Sequence, residues 1–217
     1  MIKALIFDLD NCLAAADEPG RQLYEPAFHA IRAANHGTLS DAALDRAFAD
    51  CWRHPLDWVA ANHGFSEAML SAGWSVLVAT EVTQAMRGYA DLGSLATLPA
   101  QRFLVTSGFR RLQESKIKAL NLGPLFTAIH VDAIDEPSRL GKQGLFELIL
   151  KDHRLAPAEV LVVGDNADSE IAAGNRLGIR TVQTLRPGVP RADNATFYLR
   201  SLTELADLLR HLSDHEK

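Results

Sequence analysis

The chain has 217 residues, 47% of them hydrophobic and 23% charged, with 22 basic against 27 acidic side chains and a formal net charge of -5. That length and composition suit one sizeable globular domain, or one domain carrying an insert. The mild acidic balance, without a block of like charge, argues against a nucleic-acid polymer or an anionic membrane as the main partner.

The first apolar run, Leu5-Ile6-Phe7, stops abruptly at Asp8-Leu9-Asp10. It is too short for the core of a signal peptide and reads as a buried strand. Asp8 and Asp10 then share one face at its carboxyl end, the edge of an open α/β sheet where ligands bind. Two adjacent carboxylates repel each other unless a cation, a shared proton or hydrogen bonds compensate. Asp17 to Gly20 form a turn, and four helices are expected next. They run from Arg21 to Asn35, after a Ser40 cap, from Leu56 to Ala61, and after a Ser66 cap through Val82 and Met86. In the last of these Gly73 is a weak point. Residues 15–87 thus read as an all-helical insert.

From there, short apolar runs alternate with helical segments. Strands are expected at Arg102–Thr106, Ala128–Val131, Val160–Gly164 and Arg180–Thr184, and an amphipathic helix closes the chain from Leu202 to Leu212. This alternation predicts an α/β fold whose five-stranded, doubly wound parallel sheet is built from residues 1–14 and 88–217, with the helical insert as a cap. No stretch approaches the roughly 18 apolar residues of a membrane helix. Cys12 and Cys51 match no zinc or CxxC spacing, so a reduced, cytoplasmic setting is expected. The histidines His29, His36, His54 and His63 also lack metal-ligand spacing.

Polar residues end or follow four of these segments: Asp8 with Asp10, Thr106, Lys142 and Asp165. In that order the sequence resembles the haloacid dehalogenase-like superfamily. Asp8-Leu9-Asp10-Asn11-Cys12-Leu13, Leu104-Val105-Thr106, Gly141-Lys142 and Gly164-Asp165 through Glu170 occupy the places of its four motifs. Cys12 stands where Thr is commoner, and the Asp-Asn-Cys-Leu form looks like that of pyrimidine nucleotidase-type phosphatases. The second acid of the last motif is Glu170, with Asp168 as a rival.

The resemblance implies a Rossmann-like core and a Mg2+-dependent phosphatase acting on a small phosphorylated metabolite of nucleotide or sugar-phosphate type. It implies that Asp8 is the nucleophile, forming an aspartyl-phosphate, and that Mg2+ is held by Asp8, Asp165 and the backbone carbonyl of Asp10. Asp10 would serve as acid and then base. Lys142 would balance phosphoryl charge, Thr106 or Ser107 would hold a phosphoryl oxygen, and Glu170 would orient Lys142 or a metal-bound water. Such parts suit the reaction, because one general acid contributes about 10²- to 10⁴-fold and electrostatic stabilisation must supply much of the rest. The alternatives are a phosphoglucomutase-like or haloacid dehalogenase-like enzyme on the same fold, or a non-catalytic phosphoacceptor. Of the lysines near the second motif, Lys116 and Lys118 both read as solvated.

Overall fold

A computed structural model describes residues 1–214 of the protein. Strand β1 spans Ala4–Phe7, and the helices α1 (Glu25–Ala33), α2 (Asp41–Asp50), α3 (Leu56–His63) and α4 (Glu67–Leu77) follow it. The remainder alternates as β2 (Gln101–Gly108), α5 (Arg110–Ala119), β3 (Ala128–Ala133), α6 (Gly141–Asp152), β4 (Val160–Gly164), α7 (Ala172–Arg176) and β5 (Arg180–Thr184). It ends with β6 (Phe197–Leu199) and α8 (Leu205–Asp214).

The sheet is parallel throughout, in the order β3-β2-β1-β4-β5-β6. Six strands are therefore present rather than the expected five. The additional one, β6, is three residues long, lies at the edge against β5, and carries too short a pattern for periodicity to reveal. Every residue of β1 and β4 is buried, as parallel strands covered on both faces require. Alternate residues supply the two faces. Leu5, Phe7, Leu104, Leu161, Val163 and Val182 join a core that extends into α8 and the helical insert. Ala4, Ile6, Phe103, Val105, Val160 and Val162 pack against Leu145, Phe146 and Ile149 of α6.

Ser40 and Ser66 cap α2 and α4 by accepting from the Ala43 and Met69 amides. Gly73, the weak point of α4, has a packing role: a Cβ there would lie 2.7 Å from Ile31 of α1. The expected continuation of α4 through Val82 and Met86 does not occur, since the helix ends at Leu77. The Thr80 hydroxyl bonds back to the Val76 carbonyl, the Val82 amide donates to Ser115 Oγ, and the Met86 amide donates to the Ala119 carbonyl. Pairing with α5 and burial of both apolar side chains thus outweigh local helical preference, and residues 78–88 are an irregular return to the core.

The strand order reverses between β1 and β4, the switch point at which doubly wound sheets bind ligands. Asp8 and Asp165 are the residues immediately beyond those two strands. Among the described residues no helix is long and apolar enough to cross a membrane.

Candidate active site

Asp8 continues β1, its amide donating to the Val163 carbonyl of β4 at 2.9 Å. Its side chain is buried, and Lys142 Nζ lies 2.8 Å from Oδ1. Lys142 belongs to the first turn of α6, where the helix dipole disfavours a cation. Two carboxylates offset this, since Nζ also lies 2.7 Å from Glu170 Oε2. Burial opposes the ammonium, but Asp8 and Glu170 together hold its pKa above the ordinary lysine range.

Asp165 follows β4 and is buried, and its Oδ2 is one of two buried side-chain oxygens without a partner among the described residues. Burial, then the Glu170 and Asp8 carboxylates, push its pKa well up. Asp8 is raised to about 7, chiefly by burial and against the opposing pull of Lys142. Glu170 is reached through a wide π-type turn over Ala167–Ile171 that contains a non-helical Ser169. Both its oxygens are engaged, Oε1 by the Asn166 amide at 2.6 Å and Oε2 by Lys142. Asp168 is exposed, and its backbone amide donates to Oδ1 of the N-cap residue Asn166. Glu170 therefore occupies the cluster and Asp168 does not.

Asp8, Asp165 and Glu170 offer carboxylate oxygens within 4.8 Å of one another. This donor set fits a hard divalent cation: the ligands are oxygens, one of them lacks any partner, and burial makes their charge costly without a counter-ion. Because Glu170 is already committed to Lys142 and Asn166, Asp8 and Asp165 are the side chains free to ligate.

Thr106, near the carboxyl end of β2, is buried and accepts from Gln113 Nε2 at 2.5 Å. Ser107 is turned elsewhere, donating its hydroxyl to Asp132 Oδ2 at 2.9 Å. Asp10 is half-buried, and Asn11 after it takes a left-handed conformation (φ 56°) that an Asn tolerates. The Asp10 carboxylate accepts from Lys116 Nζ at 2.7 and 2.9 Å and from Gln113 Nε2 at 3.0 Å.

The expectation of a solvated Lys116 is thus overturned: its side chain is 2% exposed, whereas Lys118 is exposed as expected. Gln113 and Lys116 escaped the sequence reading. The available signal was that Lys116 lies between Leu112 and Leu120 at four-residue spacing, on the buried stripe of α5. Both cysteines are free thiols and buried. Burial pushes Cys12 well up and Cys51 to about 12, and the Cys12 thiol faces the Val163 carbonyl.

The helical insert closes over this cluster. Asn11 Nδ2 donates to the Trp52 carbonyl and Asn166 Nδ2 to the Arg53 carbonyl, both at 3.1 Å, and Arg139 bridges buried Asp132 to Asp57 of α3. What remains is a cavity of about 80 Å³. The acids, Thr106 and Lys142 line it from the core, and Tyr24, Trp52, Arg53 and His54 line it from the insert. Other insert aromatics pack together, such as Phe28 stacked on Phe48 at 4.2 Å.

A family model described as a haloacid dehalogenase-like hydrolase matches residues 2–178. Human chronophin is 32% identical over 104 residues, a match covering 42% of this chain and 35% of chronophin. The match thus spans only about a third of chronophin's length. Among solved structures, the haloacid dehalogenase-like family hydrolase SP0104 of Streptococcus pneumoniae has a TM-score of 0.70 at 16% identity, covering 96% of this chain and 98% of that one. The L-2-haloacid dehalogenase of Xanthobacter autotrophicus has a TM-score of 0.59 at 16% identity, covering 97% and 99%. At such identities the two structures speak for the fold alone.

Proposed function

Since the chain belongs to the haloacid dehalogenase-like hydrolase family, we propose that this hydrolase is a Mg2+-dependent phosphatase that cleaves a small phosphate monoester through an aspartyl-phosphate on Asp8. The observation that carries the reading is the buried cluster at the switch point. There Asp8 faces Lys142 at 2.8 Å, beside an Asp165 whose Oδ2 has no partner.

Mg2+ held by Asp8, Asp165 and the Asp10 carbonyl would neutralise charge between an anionic nucleophile and a dianionic ester. Asp8 attacks phosphorus. Lys142, kept cationic by its two carboxylates, stabilises the charge on the transferring group, and Thr106 donates its hydroxyl to a phosphoryl oxygen. Glu170 orients Lys142, both its oxygens being spent on Lys142 and Asn166. Asp10 gives a proton to the leaving oxygen and later takes one from the attacking water. Its place in the cavity favours an ester substrate over an organic halide, because a departing halide needs no proton. Thr106 rather than Ser107 is the phosphate ligand, since Ser107 is committed to Asp132. The insert lines the cavity opposite the acids, where it limits water around the reaction and contacts the non-phosphate end of a substrate of nucleotide or sugar-phosphate type.

The protein should release phosphate from p-nitrophenyl phosphate in the presence of Mg2+, and lose that activity with EDTA or with Asp8→Asn. Turnover that survives Asp8→Asn would refute the mechanism.

A further inference from the structure

Lys116 is the most deeply buried cation near the site that the mechanism leaves without a task. It contributes nothing to packing that Leu or Met would not, and a buried ion pair is often no more stabilising than apolar residues of the same volume. The reason for a charge here is to be sought in its partner. Nζ meets both oxygens of Asp10 at 2.7 and 2.9 Å, and Gln113 Nε2 meets Oδ2 at 3.0 Å. Burial opposes the Lys116 ammonium, and the Asp10 carboxylate more than compensates, leaving its pKa raised. Gln113 is 2% exposed and its amide also reaches Thr106 Oγ1 at 2.5 Å and the Ser107 carbonyl at 3.3 Å.

Gln113 and Lys116 lie three residues apart on α5, so one rigid helix face presents both donors. The backbone of Asp10 is set by its own turn, with the Asn11 amide donating to the Ala14 carbonyl at 2.7 Å. Its side chain is left to rotate unless something outside that turn holds it. Donors on both oxygens fix the plane of the carboxylate, and the shared Gln113 amide ties that plane to Thr106.

We propose that Lys116 and Gln113 are positioning residues that hold the Asp10 carboxylate in the orientation needed for proton transfer. This rests on the phosphatase reading above. In the first step an Asp8 oxygen bonds to phosphorus, the phosphorus–ester oxygen bond breaks, and the leaving oxygen takes the electron pair and the Asp10 proton. In the second, a water oxygen bonds to phosphorus, Asp10 takes the water proton, and the phosphorus–Asp8 bond breaks to restore the carboxylate. Misplacing Asp10 therefore harms the first step in proportion to how much the leaving oxygen needs a proton.

The test is kcat/KM, which reports the first step, across substituted phenyl phosphates from p-nitrophenyl to unsubstituted phenyl. It is measured with Mg2+ for wild type, Asp10→Asn, Lys116→Met, Gln113→Leu and the Asp10→Asn/Lys116→Met double variant. Lys116→Met should mimic Asp10→Asn, losing about tenfold more on phenyl than on p-nitrophenyl phosphate. In the Asp10→Asn background, Lys116→Met should cost less than about threefold. The double variant carries no charge at either position and keeps the comparison available if Lys116→Met alone folds poorly, and Gln113→Leu should show the same leaving-group selectivity. Equal losses on every ester, with additive effects in the double variant, would overturn the positioning role while leaving the phosphatase reading intact. Wild-type inactivity on all the esters would overturn that reading and the positioning role with it.

Discussion

Gly164 and Glu170 meet so closely that a Cβ on Gly164 would overlap the Cγ and carboxyl atoms of Glu170. The glycine that ends β4 thus makes room for the acid that steadies Lys142. Glu170 cannot swing aside freely, because its oxygens are held by the Asn166 amide and by Lys142. Gly164→Ala should therefore break at least one of those bonds. The expected cost is about 1–3 kcal/mol, roughly 3–10 °C in Tm, together with a loss of kcat of at least about tenfold. Thermal unfolding and steady-state kinetics read both, and an unchanged kcat would show that Glu170 tolerates displacement.

Asp165 places a partnerless carboxylate oxygen beside two other buried acids. Without a cation this arrangement costs stability, so Asp165→Asn should raise the Tm of metal-free protein by about 2–6 °C, corresponding to ~1–2 kcal/mol. Mg2+ at a hundredfold excess over its Kd should stabilise wild type by about 2.7 kcal/mol and the variant far less. Thermal unfolding in EDTA and in Mg2+ separates the two effects. An equal response to Mg2+ in both proteins would place the cation elsewhere.

The rivalry between Glu170 and Asp168 can be settled in solution. Asp168 is exposed and contributes its amide, not its carboxylate, so Asp168→Asn should change stability by less than about 0.5 kcal/mol and leave kcat within about twofold. Glu170→Gln removes one of the two carboxylates beside Lys142 and should lower kcat by at least about tenfold. Phosphate-release assays on the two variants decide it, and the reverse order would reassign the second acid.

Asp8, Thr106, Lys142 and Asp165 could be singled out because each stands at or next to the end of an apolar run or the start of a helix and because, in that order, they match the motifs the sequence resembles; the fold brings all four to one cavity. The insert helices were legible through their caps, Ser40 and Ser66 above all. Lys116 and Gln113 were not, because a polar residue on the stripe of a helix reads as solvated until its partner is known, and Asp10 is 106 residues away from Lys116. The end of α4 was missed for a related reason, since Val82 and Met86 are drawn off by α5. The different partners of Thr106 and Ser107, Gln113 for one and Asp132 for the other, could not be read from sequence because those contacts are made through space.

Arg186 is a further residue that the sequence reading did not single out, and its part is in stability. Buried, it donates to the Cys12 carbonyl at 2.9 and 3.2 Å and to both oxygens of Asp91 at 2.8 and 2.9 Å, and Asp91 in turn accepts from the Ser201 hydroxyl and the Leu202 amide at the start of the closing helical segment. Burial alone would raise the Asp91 pKa; the Arg186 guanidinium, the Leu202 amide and the Ser201 hydroxyl overcome it and hold the pKa below 3.8. A carboxyl whose folded pKa is depressed stabilises the fold at pH above its unfolded value, and the contribution is lost as pH falls through the folded pKa. Arg186→Ala strands Asp91 and the Cys12 carbonyl, so it should cost about 3–5 kcal/mol at pH 7. The gap between variant and wild type should narrow once pH drops below 3.8, where Asp91 begins to lose its charge in the unfolded chain. It should not close, because the bond to the Cys12 carbonyl does not titrate. Urea unfolding of both proteins at pH 7 and near pH 3 measures the two gaps, and a gap independent of pH would mean that Arg186 acts through the carbonyl alone.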